Sequence, residues 1–169
     1  MSIRNFGAAI LVGAVGLTTH ICLGDPRPDV AQIITKTDAA EILAAAVREP
    51  TPRNGDGADG YYSKCNYYSA RRGKSLIIRF QLPGPNAIAP QKELELLVAA
   101  NGPMEKVSGV GDIAQMFIGG GENGFTARVL MLYVAKGNAF LTIGVGGFVD
   151  EAVALEKAKT VAQKIFEHL

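Results

Sequence analysis

The sequence predicts an α+β domain: a single antiparallel sheet with helices packed on it and a long amphipathic helix at the C-terminal end. Three observations predict it. Short runs with strand-like patterning follow one another in hairpin order, separated by tight or Gly-rich turns. Helical patterns stand before, within and after that series. The last pattern follows Asp150 and aligns Leu155, Ala158, Val161, Ala162, Ile165 and Leu169 on one stripe, with Lys157, Lys159, Gln163, Lys164 and Glu167 opposite.

Three segments are expected: a signal peptide over 1–24, a tether over 25–34 and the domain over 35–169. Arg4 precedes an uncharged apolar run, Phe6–Leu17, that is shorter than the roughly 20 residues a spanning helix needs. A charged start, a short apolar middle and small residues after it describe an export signal, with cleavage expected after Gly24. An uncleaved anchor over Phe6–Gly24 and lipidation of Cys22 are the alternatives; the bulky Ile21 disfavours the second. The expected location is periplasmic or extracellular. The Pro-rich, charged stretch Asp25–Asp29 reads as the start of the tether.

Within the domain, the first helix is expected to open at Asp38, with Glu41 completing a capping box and Pro50 stopping it. Ile42, Leu43, Ala46 and Val47 supply its apolar face. Glu49–Gly60, dense in Gly, Pro and Asp, reads as loop. Tyr61–Ser69 and Ser75–Leu82 read as strands joined by the basic turn Ala70–Lys74. Leu76, Ile78, Phe80 and Leu82 fall on one face, Arg79 and Gln81 on the other. Pro90 opens a second helix with Leu94, Leu97 and Val98 at helical spacing, and Asn101-Gly102-Pro103 ends it. Met104–Val107 is extended and Ile113–Ile118 is a strand; a glycine-rich hairpin loop over 119–124 follows. Ala127–Ala135 and Ala139–Val145 pair across Lys136-Gly137-Asn138. The unbroken apolar run Val129–Val134 predicts a central strand covered on both faces.

The whole chain carries a formal charge of +1. Without residues 1–24 it is balanced, which gives it no global reason to seek nucleic acid or anionic lipid. Cys65 is then a lone cysteine, read as core, with an intermolecular disulfide or a reactive thiol as the other readings. His168 lies at a helix C-terminus, where a cation is favourable without any chemistry. Lys106 stands where a nucleophile elbow around Ser108 would need Gly, and the spacing of Asp112, Glu122 and Asp150 marks no acid/base pair. No cofactor is expected.

Asn54–Tyr62 approaches a calcium-binding nonapeptide, which makes Asp56 and Asp59 weak metal candidates; a single copy of a motif built between stacked turns favours a plain loop. The glycine runs 119–121 and 144–147 lack the helix and Lys-Ser/Thr context of a phosphate cradle. Arg71, Arg72, Lys74 and Tyr68 form a basic-aromatic tip and are the partner-contact candidates, against a solvated hairpin end.

The pieces Thr35–Glu41, Ser63–Tyr67, Val107-Ser108-Gly109-Val110-Gly111-Asp112-Ile113-Ala114 and Lys136-Gly137-Asn138 occur in an order that resembles a group of small exported or lipid-anchored bacterial domains of unknown function. These are similar to the PsbP-like α/β/α sandwich and to extracellular sensor domains of bacterial kinases. The resemblance implies the fold and export, and no catalytic residues; Cys22 departs from the lipid-anchored members in lacking a lipobox. The expected function is an exported, non-enzymatic domain that binds a ligand or partner in the cell envelope. The alternatives are an envelope enzyme with a cleft near Asp112 or Cys65, and a purely structural envelope component.

Overall fold

The computed structural model describes residues 27–71, 73–120 and 128–169. In chain order the elements are α1 (Val30–Ile33), α2 (Lys36–Leu43), β1 (Arg53–Gly57), β2 (Gly60–Tyr68), β3 (Ser75–Pro83), α3 (Pro90–Asn101), β4 (Glu105–Val107), β5 (Ile113–Gly119), β6 (Val129–Lys136), β7 (Ala139–Gly146) and α4 (Glu151–Phe166). The seven strands form one sheet in the order β1-β2-β3-β7-β6-β5-β4, and every pairing is antiparallel. Two meanders, β1-β2-β3 and β4-β5-β6-β7, meet where β3 pairs with β7. The α+β class is therefore as the sequence predicts.

Helices lie on both faces. One face carries the main core: Tyr67, Leu76, Ile78, Phe80, Leu132, Leu141 and Ile143 pack under Val30, Ile34, Leu43, Ala158, Val161 and Ile165 of the helical segments, all buried. On the other face α3 sets Leu94 and Leu97 against Tyr133, Ala135 and Phe140. That smaller cluster covers one end of the face, and among the described residues α3 is the helix that builds it.

Four expectations are corrected. The described part of the 25–34 tether is no tether, because Val30 and Ile34 are fully buried. Side chains of β2 fasten this segment: Tyr61 Oη donates to the Pro28 carbonyl at 3.0 Å, Tyr67 Oη donates to the Ile34 carbonyl, and the Val30 N–H donates to Ser63 Oγ at 2.9 Å. Ser63 Oγ also donates to Asn54 Oδ1 at 2.7 Å, which is why a serine is tolerated at zero exposure. Second, α2 is capped by Thr35, with Asp38 as the third helical residue closing the capping box, and it ends at Ala44 in the left-handed conformation (φ 45°), well before Pro50. The Thr35 hydroxyl competes for the cap one turn earlier than Asp38 would. Third, the loop Glu49–Gly60 contains β1, an exposed edge strand whose Gly and Asp content hides it from a propensity reading. Fourth, β6 buries alternate residues; β7, at the middle of the sheet, is the strand buried along both faces. Leu82 and Leu155 are half-buried and Leu169 is exposed.

Residues 1–24 lie outside the described residues, as do Arg72, Glu122 and the loop 121–127. No helix of the described residues is long and apolar enough to cross a membrane.

Candidate functional site

The Val107–Asp112 piece builds a turn-supporting loop. Gly111 adopts φ +61°, and a β-carbon there would overlap Val134 Cγ1 and lie 2.8 Å from the Ala135 carbonyl oxygen. Only glycine lets this backbone press onto β6. The close approach aligns the Asp112 N–H with the Ala135 carbonyl at 2.8 Å and the Asp112 carboxylate with the Gly137 N–H at 2.7 Å. Asp112 thus holds the β6–β7 turn, and its carboxylate is committed to a backbone amide.

Two clefts adjoin this loop and share Asp112 and Lys136. The larger, about 560 Å³, opens between the N-terminal segment, the β6–β7 turn and the end of α4. Pro28, Leu82, Ala139 and Leu169 give it apolar walls, and Arg27, Lys136, Asn138 and His168 give it polar groups. Lys136 Nζ stands 5.0 Å from the centre of the Phe166 ring, and Arg27 is ion-paired to Asp56. The smaller, about 440 Å³, is lined by Gly109, Val110, Gln163, Phe166 and Glu167 beside the shared pair.

Cys65 is buried in the main core. Burial pushes its thiol pKa up, against a smaller opposing effect of Tyr67. A thiol in that setting is core-like, as the sequence indicates.

The basic tip divides. Lys74 is no free partner contact: its ammonium donates to the Leu43 carbonyl at 2.8 Å and stands 5.6 Å from the centre of the Phe148 ring. Lys157 approaches the same ring at 4.7 Å and donates to the Ile42 carbonyl. Two lysines therefore satisfy the C-terminal carbonyls of α2. Arg71 is exposed, and Tyr68 is 49 % exposed, with Asn66 Nδ2 at 3.5 Å from its hydroxyl. The metal candidates are not brought together into a site: Asp56 pairs with Arg27, Asp59 lies in the β1–β2 turn, and no metal-ligating cluster forms among the described residues.

A cationic ladder escaped the sequence reading. Arg53 lies directly opposite Lys64, and Lys64 directly opposite Arg79, across three neighbouring strands on the face away from the main core. Like charges so placed disfavour the pairing by a few tenths of a kcal/mol up to about 1. None of the three forms a salt bridge among the described residues. Lys64 Nζ leans 5.6 Å from the Tyr62 ring centre, and Arg79 shares a cleft with Asp59 and Glu93. Strand alternation in the sequence turns Lys64 and Arg79 away from the core; only the pairing of β1 aligns Arg53 with them.

Neither the protein-family models nor the curated proteins give a match to this chain.

Proposed function

We propose that the protein is an exported, non-enzymatic domain of the cell envelope that binds a ligand or partner. The observation that carries this reading is the cleft of about 560 Å³ beside the β6–β7 turn, whose size and make-up, apolar walls with a few convergent polar groups, are those of small-molecule sites. The export part rests on the sequence pattern Arg4 followed by Phe6–Leu17. A catalytic reading centred on Asp112 or Cys65 has less to support it, because the first is committed to the Gly137 N–H and the second to the core.

Binding is tested by a thermal-shift screen of small ligands and envelope extracts, run on the wild-type protein and on Lys136→Glu. A ligand for the cleft raises the wild-type melting temperature and raises that of the variant less, since a molecule bound only by the folded state stabilises it by mass action. No stabilisation by any fraction, or equal stabilisation of both proteins, counts against the cleft. Export is tested by the intact mass of protein from native cells. A chain beginning at Asp25 supports it, whereas a full-length soluble chain overturns it.

A further inference from the structure

We infer a second site, an oxyanion-binding notch in the β2 edge that takes a phosphate group. It lies away from the 560 Å³ cleft and is built by three features that coincide.

The first is a gap in the sheet edge. β1 pairs with β2 only as far as Arg53 opposite Lys64, and contact resumes at the bridge between Val47 and Ser69. No described backbone bond joins residues 49–52 to β2, and Pro50 and Pro52 have no N–H to offer. The Arg48 N–H donates to the Tyr68 carbonyl at 2.9 Å, so Tyr68 turns its backbone groups outward. By strand alternation the Asn66 N–H and carbonyl both face the gap with no strand partner among the described residues, the N–H beside the Cys65 thiol on the wall of the same cleft.

The second is charge. Arg53 and Lys64, directly opposed across β1 and β2, bound the gap at one end, with Arg79 next in line. The nearest carboxylate in the notch, Glu49, is held by Lys36 at 2.6 Å. The third is space: Glu49, Thr51, Arg53, Lys64, Asn66 and Tyr68 line a cleft of about 420 Å³. An outward backbone N–H beside a guanidinium and an ammonium, in a cleft that Thr51 and Tyr68 also line, is a donor set that a tetrahedral oxyanion takes. A bound phosphate also removes the repulsion that Arg53 and Lys64 exert on one another.

The test is a titration of the full chain with inorganic phosphate at low ionic strength, followed by amide NMR. The Asn66 N–H is expected to shift saturably, and Arg53→Gln or Lys64→Gln is expected to weaken binding about tenfold, as the loss of one charge-assisted bond implies. Arg71→Gln, which removes an equal charge outside the notch, is expected to leave it unchanged. Thermal melting shows whether the variant still folds: without phosphate, Lys64→Gln melts at or above the wild-type temperature, and added phosphate raises the wild type more than the variant. An unmoved Asn66 amide at millimolar phosphate, or equal weakening by Arg71→Gln, overturns the site. Sedimentation with phosphatidylglycerol vesicles then separates the sources. Vesicle binding lost in Lys64→Gln assigns the phosphate to a lipid headgroup, and phosphate binding without vesicle binding assigns it to a soluble phosphate ester.

Discussion

Gly111, Asp112 and Cys65 show how single residues divide the work of this fold. Gly111 faces the backbone of β6 at a left-handed φ, so Gly111→Ala meets both strain and overlap. It is expected to lower stability by about 2–3 kcal/mol in urea denaturation. Asp112→Ala removes the acceptor of the Gly137 N–H at an exposed position and is expected to lower it by about 1 kcal/mol. A larger loss of ligand response than of stability in Asp112→Ala would return that carboxylate to the list of binding groups. Cys65 has its thiol pKa raised above the ordinary 9.0 by burial. Its protonated form is thus favoured in the folded state, and its contribution is whole below the ordinary thiol pKa and falls as pH climbs above it. In the native protein a thiol reagent at pH 8 is expected to leave Cys65 unmodified until denaturant is added; fast native alkylation would place the thiol outside the core.

At the scale of elements, α2 is a short helix fixed at both ends by side chains. At its start the Asp38 carboxylate receives the Thr35 N–H at 2.8 Å and the Lys164 ammonium of α4 at 2.7 Å. The Lys164 bond, then the Thr35 hydroxyl, lower the Asp38 pKa from 3.8 to about 2. A carboxylate with a depressed pKa contributes stability that is present above its ordinary value and lost as pH falls through the folded one. The acid limb of the stability curve between pH 3.8 and about 2 is therefore expected to flatten in Asp38→Asn, measured by thermal melts across that window. At the other end Lys74 and Lys157 meet the carbonyls of Leu43 and Ile42 over Phe148. None of this long-range fastening is legible in the local sequence, because Lys164 lies 126 residues from Asp38 and Lys157 lies 115 from Ile42. Elements whose signals are local are legible: Pro90 opens α3, Asp150 caps α4, and the β6–β7 turn follows its Lys-Gly-Asn residues. β1 is not, since Arg-Asn-Gly-Asp-Gly lacks every strand preference and is strand only because β2 pairs with it. Missing β1 also hid the candidate anion notch, whose charges come together only through that pairing.

For the whole molecule, the decisive feature is where the two meanders join. Chain order would leave β3 and β7 as the ends of two separate ribbons; the structure pairs them in seven positions, from Ser75 opposite Gly146 to Gln81 opposite Phe140. β7 thereby becomes the middle strand, hydrogen-bonded on both sides, under α4 on one face and beside α3 on the other. Its residues Ala139–Gly146 are buried except Thr142, although the run Val129–Val134 of β6 is the one that reads as doubly covered. Two glycines, Gly144 and Gly146, depress the apolar reading of β7 while serving its packing: a β-carbon at Gly144 would come within 2.9 Å of Met131 Sδ and 3.3 Å of Ile77 Cβ. Opening β7 exposes both meanders at once, so its amides can exchange only by global unfolding, whereas β1 and β4 at the edges can open alone. Native-state hydrogen exchange is expected to give the Ile143 amide and its β3 and β6 neighbours protection equal to the full unfolding free energy, with β1 and β4 far below it. Equal protection of β4 and β7 would mean that the sheet opens as one unit. Faster exchange in β7 than in β2 would show that the β3–β7 junction, rather than the edges, is where the two meanders come apart.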